Sequence, residues 1–97
     1  MSLVFHPLVQ RDINIALRYY DDEGGRSLGD RFYAELNTKL SEVLNAPERF
    51  HLVSGEIHRA NLSRFPYHIL FRIRPGHVRV LVIRHHRRHP EFGIGRK

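Results

Sequence analysis

The densest chemistry in the chain lies in one run, Arg84-His85-His86-Arg87-Arg88-His89-Pro90. Histidine titrates near neutrality and suits general acid–base work. Arginine carries a permanent charge on a planar fork that matches phosphate or carboxylate. Such residues could supply a base at a 2′-hydroxyl, a cation at the phosphate and an acid at the leaving oxygen. Those are the parts that metal-free RNA cleavage needs. On that reading His68, His86, Arg87 and Arg88 would be catalytic. Arg64, Arg72, Arg84 and His85 would hold the target. The same run could equally be an exposed basic strand end that binds an acidic partner without chemistry. Spacing fixes no acid–base pair, so both readings stand. His85 and His89 also show H-x-x-x-H spacing, which aligns metal ligands on a helix. Here the run leaves a strand and meets Pro90, and Arg87 and Arg88 would repel a cation. Neither a metal nor any other cofactor is expected.

Other candidates have simpler roles. His68 interrupts an apolar strand, and such a histidine is more often a satisfied, half-buried side chain than a catalyst. Arg64 precedes Phe65-Pro66-Tyr67 and fits a structural ion pair as well as a site. Tyr67 and Phe65 could stack on a base, although core packing explains them too. No glycine-rich phosphate loop, nucleotide fingerprint, serine elbow or zinc motif is present.

Charge is uneven along the 97 residues, whose formal net is +6. Residues 1–48 carry a net of −3, and residues 49–97 a net of +9. Ten of the eleven cations in the second half are arginine, and seven of the eight histidines lie there. Such polarity speaks about partners, favouring phosphate-rich or acidic ones, and says nothing of fold. The absence of cysteine excludes disulfides, cysteine nucleophiles and cysteine-ligated zinc. No apolar run approaches the ~18 residues of a membrane span. The first residues lack the basic and apolar regions of a signal peptide. A cytoplasmic protein without membrane contact is therefore expected.

The elements that must position these residues follow from periodicity. Leu3-Val4-Phe5 suggests an edge strand, broken by His6-Pro7. Val9, Ile13, Ala16, Leu17 and Tyr20 recur at helical spacing. Asp21-Asp22-Glu23-Gly24-Gly25 predicts a turn, and Ser27 with Asp30 has capping-box spacing for a second helix. That helix carries Leu28, Phe32, Leu36, Leu40, Val43 and Leu44 on one stripe and stops at Asn45-Ala46-Pro47. Residues 51–55 read as loop. Ile57 to Leu62 alternates as a strand. Tyr67, Ile69, Phe71 and Ile73 form one apolar strand face. Pro75-Gly76 fits a type II turn. Val78, Val80 and Val82 alternate on the last strand, and Arg84 and His86 continue the face of Val82. The expected fold class is α+β: a helical hairpin on a small, mostly antiparallel sheet, in the order β-α-α-β-β-β. One domain spans 1–97, with a flexible tail at 91–97.

Several of these patterns, in order, resemble the RelE/ParE superfamily of toxins from type II toxin–antitoxin modules. Val4-Phe5-His6-Pro7 opens into a helix. The long amphipathic helix ends in Asn45-Ala46-Pro47-Glu48-Arg49-Phe50, similar to the superfamily's P-x-x-G region without its glycine. Tyr67-His68-Ile69-Leu70-Phe71-Arg72-Ile73 is like its Y-R-I-L-Y-R-V strand. Val80 to Pro90 resembles its V-L-H-x-R-R-x-P exit, with His85, Arg87 and Arg88 on matching positions. The resemblance implies a cognate antitoxin partner, acidic and partly disordered, wrapping the basic surface. It implies one of two targets. Members similar to ParE block DNA gyrase and are not nucleases; members similar to RelE cut messenger RNA on the ribosome. The cleaving branch usually has arginine where His68 stands and a basic or tyrosine residue near its C-terminal end. His86 stands near the catalytic histidine of another cleaving member. With His68 in that arginine's place and no tyrosine after Arg88, the ParE-like function leads. A RelE-type endoribonuclease is the alternative, and a non-toxic antitoxin-binding relative the third reading. The resemblance leaves the oligomeric state open.

Overall fold

The computed structural model describes residues 1–97. Strand β1 (Ser2–Phe5) leads into helix α1 (Val9–Asn45), and a 3₁₀ turn (Pro47–Arg49) follows. Strands β2 (His51–Ser54), β3 (Ile57–Asn61), β4 (Tyr67–Arg74) and β5 (His77–His85) complete the chain's regular elements. They form one sheet in the order β1-β5-β4-β3-β2. Strand β1 runs parallel to β5, and every other pair is antiparallel. The α+β class therefore holds. No helix is long and apolar enough to cross a membrane.

The expected helical hairpin forms with a tighter reversal than the sequence suggests. At 1.5 Å per residue, an unbroken α1 would span about 55 Å, whereas the longest dimension of the molecule is 39 Å. Helical geometry fails only at Gly25, with φ 77° and ψ 176°. Residues with a Cβ avoid that conformation, so glycine is the residue that allows it. Residues 9–24 and 26–45 are thus two arms folded back on each other. Tyr20 and Phe32, one from each arm, have ring centroids 5.2 Å apart. The second arm begins directly after Gly25, so Ser27 lies inside the helix instead of capping it.

Both arms bury their predicted stripes against one sheet face. Val9, Ile13, Ala16 and Tyr20 join Phe32, Leu36, Leu40 and Val43 in the main core, which also takes Ile69, Phe71, Val78, Val80 and Ile83. Tyr20, Phe32, Phe65 and Tyr67 meet mostly edge-on and fasten the hairpin to the sheet.

Three expectations change. Residues 51–54 are strand β2, not loop, paired with β3 at the sheet edge. All four of its residues are exposed, so no buried alternation marked it in the sequence. The last strand is not one continuous alternation. Leu70 pairs with Val82 and Phe71 with Val80, so Leu81 is an extra, bulged residue. Val78 and Val80 consequently face the helices, while Val82 faces the other way.

The third change concerns residues 91–97, expected to be a flexible tail. Phe92 and Ile94 instead pack on a second cluster of Ile57, Leu70, Leu81 and Val82. Arg96 ends in a buried ion pair with Asp12, at 2.7 and 3.1 Å. Strand β1 covers β5 only as far as Val80. Beyond it, Asp12 accepts the Ile83 N–H at 3.2 Å, and Arg96 donates to the Leu81 carbonyl at 3.0 Å. The pair thus supplies the hydrogen bonds that a longer β1 would have made.

Removing one member of a buried pair strands the other. Asp12→Ala should cost about 3 kcal/mol in urea unfolding. Lys39→Ala, which breaks the more open Lys39–Glu42 pair, should cost under about 1 kcal/mol. Equal losses would refute the clasp role of Asp12.

Candidate functional site: a histidine pair on the open sheet face

The bulge at Leu81 decides which side chains meet. After it, Ile83 and His85 turn toward the helices, whereas Arg84 and His86 turn to the open face. Across the ladder, His68 pairs with Arg84, and Asn61 with His68. Arg59 opposes Leu70 on the same open face. The run that looked like one cluster in sequence is therefore split between two sides.

His68 lies at the centre. It is 1% exposed, and Arg84 Nε donates to its Nε2 at 2.8 Å. Its Nδ1 lies 2.9 Å from Nδ1 of His86. The rings are within 12° of parallel with centroids 5.1 Å apart. That is too far for face contact at ~3.5–4 Å, and it suits an in-plane N–H···N bond. Burial, then Arg59 and Arg84, pushes the His68 pKa down to about 3, so the ring is neutral. Burial and Arg59 lower that of His86 as well.

Neutrality fixes the protons. Arginine can only donate, so His68 Nε2 accepts and its proton sits on Nδ1. His68 Nδ1–H then donates to His86 Nδ1, toward which Arg59 Nη2 also points at 3.4 Å. The proton of His86 must sit on Nε2, on the far side of its exposed ring. The pair thus presents an N–H donor to solvent, with no free basic nitrogen.

The remaining predicted residues are dispersed. Arg84 is held inward: besides His68, its Nη1 donates to the carbonyls of Pro90 and Phe92 at 2.7 and 2.8 Å. Arg72 donates to the Arg96 carbonyl at 3.0 Å. Both arginines fasten the tail. Arg88 lies over the Phe92 ring at 3.9 Å. His85 meets Tyr67 edge-on and accepts the Arg87 N–H. Arg87 is exposed. Arg64 lines a groove beside the second arm with Arg31 and Phe65, away from the histidines.

Sequence reading missed Arg59, Asn61, Asp12 and Arg96. The β3 alternation placed Arg59 and Asn61 on one face, but only the β3–β4 register brings them to His68. No Asp or Glu carboxylate lies within 4 Å of Arg59, Arg72, Arg79 or Arg84, because the ion pairs engage only Lys39, Arg74 and Arg96. Arg79 Nε donates instead to the main-chain oxygen of Lys97 at 3.1 Å. The open face therefore carries net positive charge, with Arg74 paired to Glu56 and donors of Arg72, Arg79 and Arg84 met by tail oxygens.

Two measurements check the proton arrangement. Nitrogen-15 spectra should show His68 protonated at Nδ1 and His86 at Nε2. The unfolded histidine gains its proton near pH 6.5, while native His68 resists until about 3. The unfolded state thus binds more protons in this window, and stability should fall as pH drops from 6.5 toward 3. His68→Gln should flatten that fall; an unchanged slope would refute the neutral, buried assignment.

The family described as ParE toxin of type II toxin–antitoxin system, parDE, matches residues 3–90. No curated protein matches the chain at significance. Among solved structures, the chromosomal ParDE toxin–antitoxin system from P. aeruginosa contains a chain similar in fold. Its TM-score is 0.79 at 15% identity, over 88% of this chain and 95% of that one. The matched span takes in both helical arms, the sheet from Leu3 onward and the histidine pair, and the chain belongs to the ParE toxin family of type II toxin–antitoxin systems.

Proposed function

We propose that this chain acts as a toxin by binding, with DNA gyrase as its target, and that a cognate antitoxin neutralises it in the cytoplasm. The observation that carries the reading is the hydrogen-bond geometry of the histidine pair, from which the proton arrangement follows. A base at a 2′-hydroxyl needs a free nitrogen lone pair facing the substrate. His86 offers an N–H there, and His68 is buried with both nitrogens engaged. Such a site donates hydrogen bonds and positive charge, which suits recognition. Around it, Arg59 has no ion-pair partner and helps give the open face a positive field that steers acidic surfaces toward it. Membership in the ParE family favours gyrase over the ribosome as the target, and it supplies the expectation of an antitoxin.

Purified chain added to purified gyrase should abolish supercoiling of relaxed plasmid. Arg59→Glu, which reverses charge beside His86, should weaken inhibition by about tenfold or more. Brief induction in cells should arrest growth without new messenger RNA 5′ ends. Codon-spaced cuts that vanish when translation is blocked would instead assign the ribosome-dependent nuclease activity. Normal growth on induction would assign the non-toxic reading.

A further inference from the structure

The two edges of the sheet are built differently. Strand β2 closes one, and its register shifts between Leu52 and Ser54. Such a bulge blunts an edge against further pairing. Strand β1 closes the other. It pairs with β5 in unbroken register, and Pro7 comes only after its last residue. Residues 1–10 hold no Lys, Arg, Asp or Glu, in a chain that is 27% charged. The usual guards of an open edge, a charge, a proline or a bulge, are thus missing from β1.

This edge also carries apolar side chains. Met1, Val4 and Phe5 are 67%, 38% and 42% exposed. The His6 N–H donates to the Val80 carbonyl at 2.8 Å. Across a trans peptide the Phe5 carbonyl therefore points away from β5. By the alternation of a strand, the N–H and carbonyl of Leu3 point outward too. Beside the edge, on the helix side, lies a cavity of about 430 Å³. Phe5, Pro7, Ile13, Tyr33 and Leu40 line it, and no Lys, Arg, Asp or Glu does. His6 on its rim stays neutral, because burial, then Arg96 and Arg79, lower its pKa.

We infer that β1 is the interface between two copies of this chain, paired antiparallel about a two-fold axis with Leu3 beside Leu3. In that register each Leu3 donates to its counterpart and accepts from it. Met1 of one copy falls opposite Phe5 of the other, on the helix side, where its side chain enters the cavity. The contact is isologous and closes at two copies, since each chain has one such edge. Charge selects this occupant. Two chains of net +6 repel each other, and residues 1–10 bring no charged side chain to the seam. Arg79, which reaches β1 from the open face, is held by the main-chain oxygens of Phe5 and Lys97. An acidic partner gains nothing at an uncharged edge and is steered to the open face instead. The seam is short, so the dimer is weak and forms as concentration rises. Both open faces then lie on one side of a continuous sheet.

The test is sedimentation of the purified chain, free of any N-terminal tag, over a range of concentrations. A monomer–dimer equilibrium is expected. Val4→Lys and Phe5→Lys should each raise the dissociation constant by about tenfold or more. Leu52→Lys, on the exposed β2 edge, adds the same charge and should stay within about threefold. All three positions are solvent-facing, and circular dichroism melts verify that the variants fold. Hydrogen exchange of the unaltered chain gives a second readout, in which amides of residues 2–5 gain protection with concentration and those of 51–54 do not. A chain that stays monomeric up to about 1 mM overturns the assignment. So does a dimer that protects 51–54 instead, or one that Leu52→Lys weakens as much as Phe5→Lys. Protection of 2–5 only on adding the product of the neighbouring reading frame would give the edge to that partner, and it overturns the assignment too.

Discussion

The structure depends on one ion pair between residues 84 positions apart, Asp12 and Arg96. Strand β1 is too short to cover β5 beyond Val80. An uncovered backbone edge between a helix and a sheet would leave polar groups without partners, which folded chains avoid. A carboxylate from the first turn of α1 and a guanidinium from the tail fill that gap. The two charges neutralise each other while each also serves the backbone. The helix, the sheet edge and the tail therefore meet at one point. The second apolar cluster follows from it, because Arg96 holds Phe92 and Ile94 over Leu81 and Val82.

The Leu81 bulge is the second organising feature. Without an extra residue, Val82, Arg84 and His86 would continue the helix-facing phase of Val78 and Val80. Two polar side chains would then point into the main core, at the cost that burial without partners carries. The bulge reverses the phase. It sends Arg84 and His86 to the face where His68 waits, and it gives Ile83 to the core. Site and core are thus separated by one residue. The tail then makes the open face more than a bare arginine surface, because its carbonyls take up the inner donors of Arg84 and Arg72.

Much of this was legible in the residues and some was not. Both helical arms could be read because their buried stripes are long and periodic. The β4–β5 hairpin could be read from its alternation and its Pro75-Gly76 turn, where Gly76 has φ 79°. Strand β2 left no trace, since a short edge strand exposed on every residue has no pattern to detect. The tail looked loose because its two glycines suggest fraying, whereas Arg96, Phe92 and Ile94 meet distant partners. At the site, the basic run pointed to the right region. It misjudged grouping, since neighbours in sequence fell on opposite faces. The partners that define His68 come from β3 and β5, and only register brings them together. Asp12 looked like an ordinary acidic residue near a helix start.

The β1–β5 and Asp12–Arg96 contacts also impose an order on biosynthesis. A chain leaves the ribosome from its first residue onward. Here the parallel neighbour of β1 is β5, which emerges after β2, β3 and β4, and the residue that clasps the first helical turn comes later still. The two helical arms can pair early through local contacts, but the sheet stays incomplete until β5 has emerged. The open sheet face does not exist on a chain that still lacks β5. Neither the clasp nor the sheet edge it supports can form until Arg96 has emerged.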